Sequence, residues 1–203
     1  MKSIHIGFLV CVIGILNGCS SPPSITNSNV ILPVAEKVRS LEFIYHKPTM
    51  KVTRSSYGRF IPATDDMGFE DFSGLLVKEA PVIFANNHVA VVEAKLLEVD
   101  QKLDLSSIPR GAGDTPLPIL LVEPRHGYNR SNGRASMGGY VFEAQLINSS
   151  TREVIWKASI DTNVWKGQDF VMKHIQRDVY DQSYADQFLT QLVIRLKEDA
   201  VVE

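Results

Sequence analysis

The alternation of apolar and polar positions is clearest between residues 140 and 160. Tyr140, Phe142, Ala144 and Leu146 alternate with Val141, Glu143, Gln145 and Ile147. A polar Asn148-Ser149-Ser150-Thr151-Arg152 segment turns the chain, and Val154, Trp156, Ala158 and Ile160 bring it back. A period of two belongs to a half-buried strand, so this stretch predicts a β-hairpin with Tyr, Phe, Trp and Leu on its buried face. Further on, Tyr184, Phe188, Leu189, Leu192, Val193 and Leu196 recur at helical spacing. They predict an amphipathic C-terminal helix, with Ser183 and Asp186 as its capping pair.

Weaker patterns precede these. Leu41 to Tyr45 is a short strand candidate ended by Pro48, and residues 49–68 are polar and turn-rich enough to predict a loop. Asp71 is the candidate cap of a helix carrying Phe72, Leu75, Leu76, Val82 and Ile83. Pro81 is expected to kink or interrupt that helix, and Asn86-Asn87 to close it. Residues 89–99 predict a strand, with helix a competitor for its second half. Residues 100–115 are polar and Gly-rich, and residues 117–123 follow as a buried strand starting at its proline. From Arg125 to Gly139 glycine and polar residues again predict a long loop. The fold class expected is therefore α/β: a single sandwich domain with a mixed, mostly antiparallel sheet, helices packed on it and a C-terminal amphipathic helix.

The N-terminal residues tell a different story. Met1-Lys2 precede an apolar run from Ile4 to Leu16, shorter than the ~20 residues a bilayer-spanning helix needs. Leu16-Asn17-Gly18-Cys19 follows and resembles the lipobox of bacterial lipoproteins, although Asn17 is larger and more polar than the Ala or Ser usual there. The resemblance implies that residues 1–18 are a signal peptide, that Cys19 is lipidated with palmitate-type acyl chains, and that the protein is held by its lipid. Each acyl chain contributes ~0.8 kcal/mol per buried CH₂. Ser20 in place of Asp after the cysteine implies export to the outer membrane of a Gram-negative cell, with the domain in the periplasm. In a Gram-positive cell the same residues imply the outer face of the plasma membrane. Residues 20–33, rich in Ser, Pro and Asn, predict a polar tether. The expected organisation is thus 1–18 leader, 19–38 lipidated Cys and tether, and 39–203 a single α/β domain.

Composition changes little. The chain has 203 residues with 44% hydrophobic and 22% charged content, within the globular range. Net charge is -2, which removal of Lys2 with the leader makes more negative, so no broad field is expected to attract nucleic acid or an anionic leaflet, and a nucleic-acid partner is not expected. Cys11 lies in the leader, leaving Cys19 as the sole thiol of the mature form, with no intrachain disulfide possible.

Candidate chemistry is sparse. His46, His88, His126 and His174 have no metal-ligand spacing, and Asp65-Asp66 lacks the oxygen-ligand pattern of a calcium loop. The glycines at 111–113 and 127–139 lack the remaining parts of a phosphate-binding loop, and no serine sits in a nucleophile elbow. No metal, cofactor or catalytic set is expected. A partner surface, a peptidoglycan-facing patch and a plain solvated loop are the open readings of Arg125, His126, Tyr128 and Arg130, basic and aromatic within a Gly-rich segment, and Trp165 reads either as an apolar anchor for a partner or as core rim at a strand end. Lipobox, polar tether, the hairpin Phe142 to Ala158 and the closing helix together resemble small periplasmic envelope-assembly lipoproteins. Among these are the curli-secretion and penicillin-binding-protein-activator types and uncharacterised lipoprotein families. The resemblance implies a non-enzymatic accessory protein binding an envelope protein or peptidoglycan. The alternatives are an envelope hydrolase whose site forms only in the fold, or a small-ligand carrier.

Overall fold

A computed structural model describes residues 22–34, 36–47, 52–56, 69–98, 117–131, 136–162, 165–167 and 180–203. In chain order the elements are β1 (Ser24–Val30), β2 (Ser40–His46), β3 (Val52–Ser56), α1 (Phe69–Ala85), β4 (Ala90–Leu97), β5 (Ile119–Ser131), β6 (Ser136–Ile147), β7 (Val154–Asp161), β8 (Trp165–Gly167) and α2 (Gln182–Glu198). The sheet runs β1-β7-β6-β5-β2-β4, with β3 added beside β5 and β8 beside β6. Pairing is antiparallel for β1/β7, β7/β6, β6/β5 and β6/β8, and parallel for β5/β2, β2/β4 and β5/β3. The mixed α/β fold with a C-terminal helix is as the pattern predicts.

Both helices pack on one face of the sheet and against each other. Their layer is built from alternate strand residues: Leu41, Phe43 and Tyr45 of β2, Leu120 and Val122 of β5, Phe142, Ala144 and Leu146 of β6, and Trp156, Ala158 and Ile160 of β7. Facing them are Phe72, Leu76, Ala80 and Phe84 of α1, and the predicted stripe Tyr184, Phe188, Leu189, Leu192, Val193 and Leu196 of α2. Edge-on rings fill the centre, with Phe72 against Tyr180, Phe142 and Phe188 at 5.1, 6.1 and 5.8 Å between centroids. On the opposite sheet face a second cluster holds Ile44, Ile119, Leu121 and Ile147. A strand buried on both sides, as β2 is, cannot alternate cleanly, which is why its aromatic and branched content marked it rather than its period.

Several expectations are corrected. Residues 24–30, within the stretch read as a tether, form edge strand β1, with Ile25 packed on the core. Residues 52–56, read as loop, form β3. Helix α1 begins at Phe69, so Asp71 lies inside its first turn rather than at its cap. It also runs through Pro81, ending where Asn86 N donates to Val82 O and the Asn87 amide donates to Ile83 O. His88 follows in the left-handed region at φ 63°, and Val89 N closes the turn on Phe84 O. The strand read over 89–99 stands, from Ala90 through Leu97, and its second half is not helix.

The cap of α2 is Asp181, whose carboxylate accepts from Tyr184 N at 2.9 Å; Ser183 and Asp186 are inside the helix. The β6–β7 hairpin stands as predicted, its turn held by Asn148 Oδ1 accepting from Ser150 N and Thr151 N. A register shift after Leu146 moves Val154 to the second cluster. The largest departure is the Gly-rich stretch from 125 to 139. Its described residues are not loop but the continuation of β5 and β6 into a long ribbon.

Candidate binding surface

The second sheet face carries a polar row that begins where parallel pairing sets β2 beside β5. His46 Nδ1–H donates to Glu123 Oε1 at 2.7 Å, and both residues are buried. Glu123 Oε2 lies 3.3 Å from the Arg125 guanidinium, which also pairs with Glu143 Oε1 across the β5/β6 ladder at 2.5 Å. The Gln145 amide donates to the same Glu143 oxygen. Burial alone would lower the Arg125 pKa, but the hydrogen bond to Glu143 and the Glu123 charge raise it above its ordinary value. For Glu143 burial raises, yet the Arg125 and Gln145 hydrogen bonds and the nearby cations bring it below the usual carboxylate range. The row is a connected chain of donors and acceptors. Its chemical effect is to fix orientations, with the imidazole proton held on Nδ1 by the carboxylate.

The residues expected to form a partner surface have divided fates. Arg125 sits at a β-bulge, where the register shifts between Pro124 and His126, and the shift carries its side chain onto the carboxylates. His126 is exposed opposite Val141. Tyr128 is half-buried and donates to Asp161 Oδ1 at 2.7 Å. Arg130 stands in β5 opposite Met137 of β6 and Ser55 of β3, and Trp165 in β8 opposite Gly138. Four of the five therefore lie on one strand and the fifth two strands away, on one ribbon rather than on separate loops. Cys19 and His174 lie outside the described residues. From sequence, His46 reads only as a candidate metal ligand and Glu143 only as part of the strand alternation, and Glu123 has no assigned role; on β2 and β5 these polar positions share their face with Ile44, Ile119 and Leu121, so no clean alternation marks them.

A second polar knot ties the sheet to α2. Tyr140 N donates to Thr162 Oγ1 at 2.8 Å, and that hydroxyl donates to Tyr140 O at 3.2 Å. The Tyr180 hydroxyl lies 2.9 Å from Thr162 Oγ1, and Tyr184 Oη donates to Thr162 O at 2.6 Å. Burial pushes the Tyr45, Tyr180 and Tyr184 hydroxyls above the ordinary tyrosine range, so they serve as neutral hydrogen-bonding groups. Among the described residues, no group of three or more His, Cys, Asp or Glu is placed to hold a metal ion, and no helix is long and apolar enough to cross a membrane.

No family model and no curated protein matches the chain. Solved structures do. A protein described as a neuraminyllactose-binding hemagglutinin homolog from Helicobacter pylori has a TM-score of 0.43 at 12% identity, covering 82% of this chain and 90% of that one. A PelC dodecamer from Paraburkholderia phytofirmans has a TM-score of 0.36 at 12% identity, covering 85% and 94%. A Xanthomonas campestris protein assigned to family DUF330 has a TM-score of 0.36 at 14% identity, covering 89% and 93%. All three come from bacteria.

Proposed function

We propose that the chain is a lipid-anchored, non-enzymatic accessory protein of the bacterial cell envelope, held at the outer membrane through Cys19 with its domain in the periplasm. Its partner is another envelope component, a protein or peptidoglycan. The observation that carries the reading is the Leu16-Asn17-Gly18-Cys19 lipobox directly ahead of β1. An acyl group on Cys19 would be joined to a strand of the folded sheet through residues 20–23 alone. The polar row is in keeping with a binding role: Arg125, Glu123, Glu143 and His46 engage one another, which fixes a surface in place.

The test is metabolic labelling of cells making the full chain with palmitate, beside the Cys19→Ala variant. Label is expected in the parent and absent from the variant, which leaves the outer-membrane fraction. Crosslinking in intact cells should return the same envelope partner repeatedly. Failure of palmitate to enter the parent overturns the anchor, and an unlabelled Cys19→Ala form that fractionates like the parent does the same.

A further inference from the structure

Strand β4 ends the sheet. Among the described residues it has β2 on one side and no strand on the other. It is eight residues long and contains neither Gly nor Pro. Its pairing with β2 is bulged: Leu41 stands beside Val91 and Glu42 beside Glu93, which leaves Val92 as the extra residue. Val92 is 64% exposed, and Val82 of α1, the helix packed on β4, is 54% exposed. Of the large apolar side chains among the described residues, these two are the most exposed. Between the bulge and the strand end, Glu93 and Lys95 stand two positions apart and pair at 2.7 Å. The other edge strand, β1, carries no charged residue.

The backbone of β4 limits how another strand can join it. Lys47 N donates to Leu97 O, so Leu97 turns its carbonyl toward β2. Backbone groups alternate sides along a strand, which points those of Ala94 and Leu96 away from β2. A twofold axis across the strands runs a second β4 antiparallel to the first. Outward groups must then meet outward groups, so the ladder is centred on Ala94, Lys95 or Leu96. Centred on Lys95, two lysines face each other; centred on Leu96, Lys95 faces Leu97. Centred on Ala94, Glu93 of each copy faces Lys95 of the other. That pair is of the non-hydrogen-bonded kind, with Cα atoms about 4.5 Å apart and side chains at their closest. The same register sets the exposed Val92 against Leu96 of the second copy.

We infer that the β4 edge is a docking surface for a second copy of this chain, joined as an antiparallel β4–β4 ladder centred on Ala94. Charge complementarity selects this occupant. The strand carries one Glu and one Lys at the spacing that satisfies its own antiparallel image, and each opposite-charge pair across the ladder favours it. A lysine on an edge strand ordinarily wards off pairing; here its complement is two positions away on the same strand. The joined ladder carries the sheet from one copy into the next and covers Val92. This inference goes beyond the envelope-anchor reading and does not rest on it.

The experiment is native mass spectrometry of the detergent-purified full chain over a range of concentrations, with circular dichroism to check folding. A dimer is expected for the parent and equally for Cys19→Ala. Glu93→Lys and Lys95→Glu should each weaken dimerisation by roughly tenfold or more, because two attractions become two repulsions. Carrying both changes in one chain should restore the dimer, and an equimolar mixture of the two single variants should form mixed dimers. Ile31→Lys, beside the β1 edge, should dimerise as the parent does. Hydrogen exchange of the unaltered chain needs no variant to fold: the β4 amides should slow as concentration rises. A parent that stays monomeric, or β4 exchange that ignores concentration, overturns the inference. So does a dimer that survives both single reversals, or one lost with Ile31→Lys. A dimer lost with Cys19→Ala also overturns it, since the lipid then does the joining.

Discussion

Trp156 shows how much one side chain can tie together. Its ring is fully buried in the main core, and its indole N–H donates to Asp199 Oδ2 at 2.7 Å, at the C-cap of α2. Trp156→Phe keeps most of the apolar area and removes this charge-assisted bond, so it should cost about 1.5–3 kcal/mol in urea unfolding. Thr162 is the polar counterpart. Thr162→Val withdraws a hydroxyl that serves Tyr140 and Tyr180 inside the fold and should cost about 1–3 kcal/mol, with Thr162→Ser recovering much of it. At Glu143 the folded pKa is depressed, so the Arg125 pair stabilises the fold above the ordinary glutamate value of about 4.3. That contribution is lost as pH falls through the lower folded value. Glu143→Gln should therefore lower the urea midpoint at pH 7 and make little difference in strong acid. The same residues set the limit of sequence reading. His46 and Glu123 are 77 positions apart, and no local pattern announces that parallel strands will bring them within hydrogen-bonding distance.

At the scale of elements, Pro81 and β1 both depart from what the sequence predicts. Pro81 lies inside α1, where it has no N–H to offer Val77 O and crowds the preceding turn. The helix persists because Phe72, Leu76, Ala80 and Phe84 are all buried on one stripe, and that burial outweighs the proline penalty. Pro81→Ala should raise stability by about 2 kcal/mol, the interior penalty of about 3 less the unfolded-state entropy that proline removes. Thermal unfolding followed by circular dichroism measures it. Strand β1 reads as a linker because Ser, Thr and Asn fill it, and an edge strand needs little apolar content when only Ile25 faces the core. Replacing residues 24–30 by a Gly-Ser run of equal length should lower the melting temperature, whereas a true tether would tolerate it. The β6–β7 hairpin and α2 were legible for the opposite reason. Each is local in sequence, and each keeps its period over a long run.

For the molecule as a whole, the pattern of residues on the sheet and helices was enough to predict one α/β domain with a closing helix. The lipobox-like run Leu16-Asn17-Gly18-Cys19 and the apolar stripe of α2 are written in neighbouring residues, and covalent proximity or helical periodicity needs no partner to be read. The order of the strands was decided elsewhere. So were the conversion of a Gly-rich stretch into a ribbon and the pairing of His46 with Glu123. Each depends on which distant segments share a ladder, and hydrogen bonds between backbones are blind to the side chains that sequence displays. The chain's own periodicity thus determined what its helices and central strands bury. The pairing of distant strands alone decided which charges stand together.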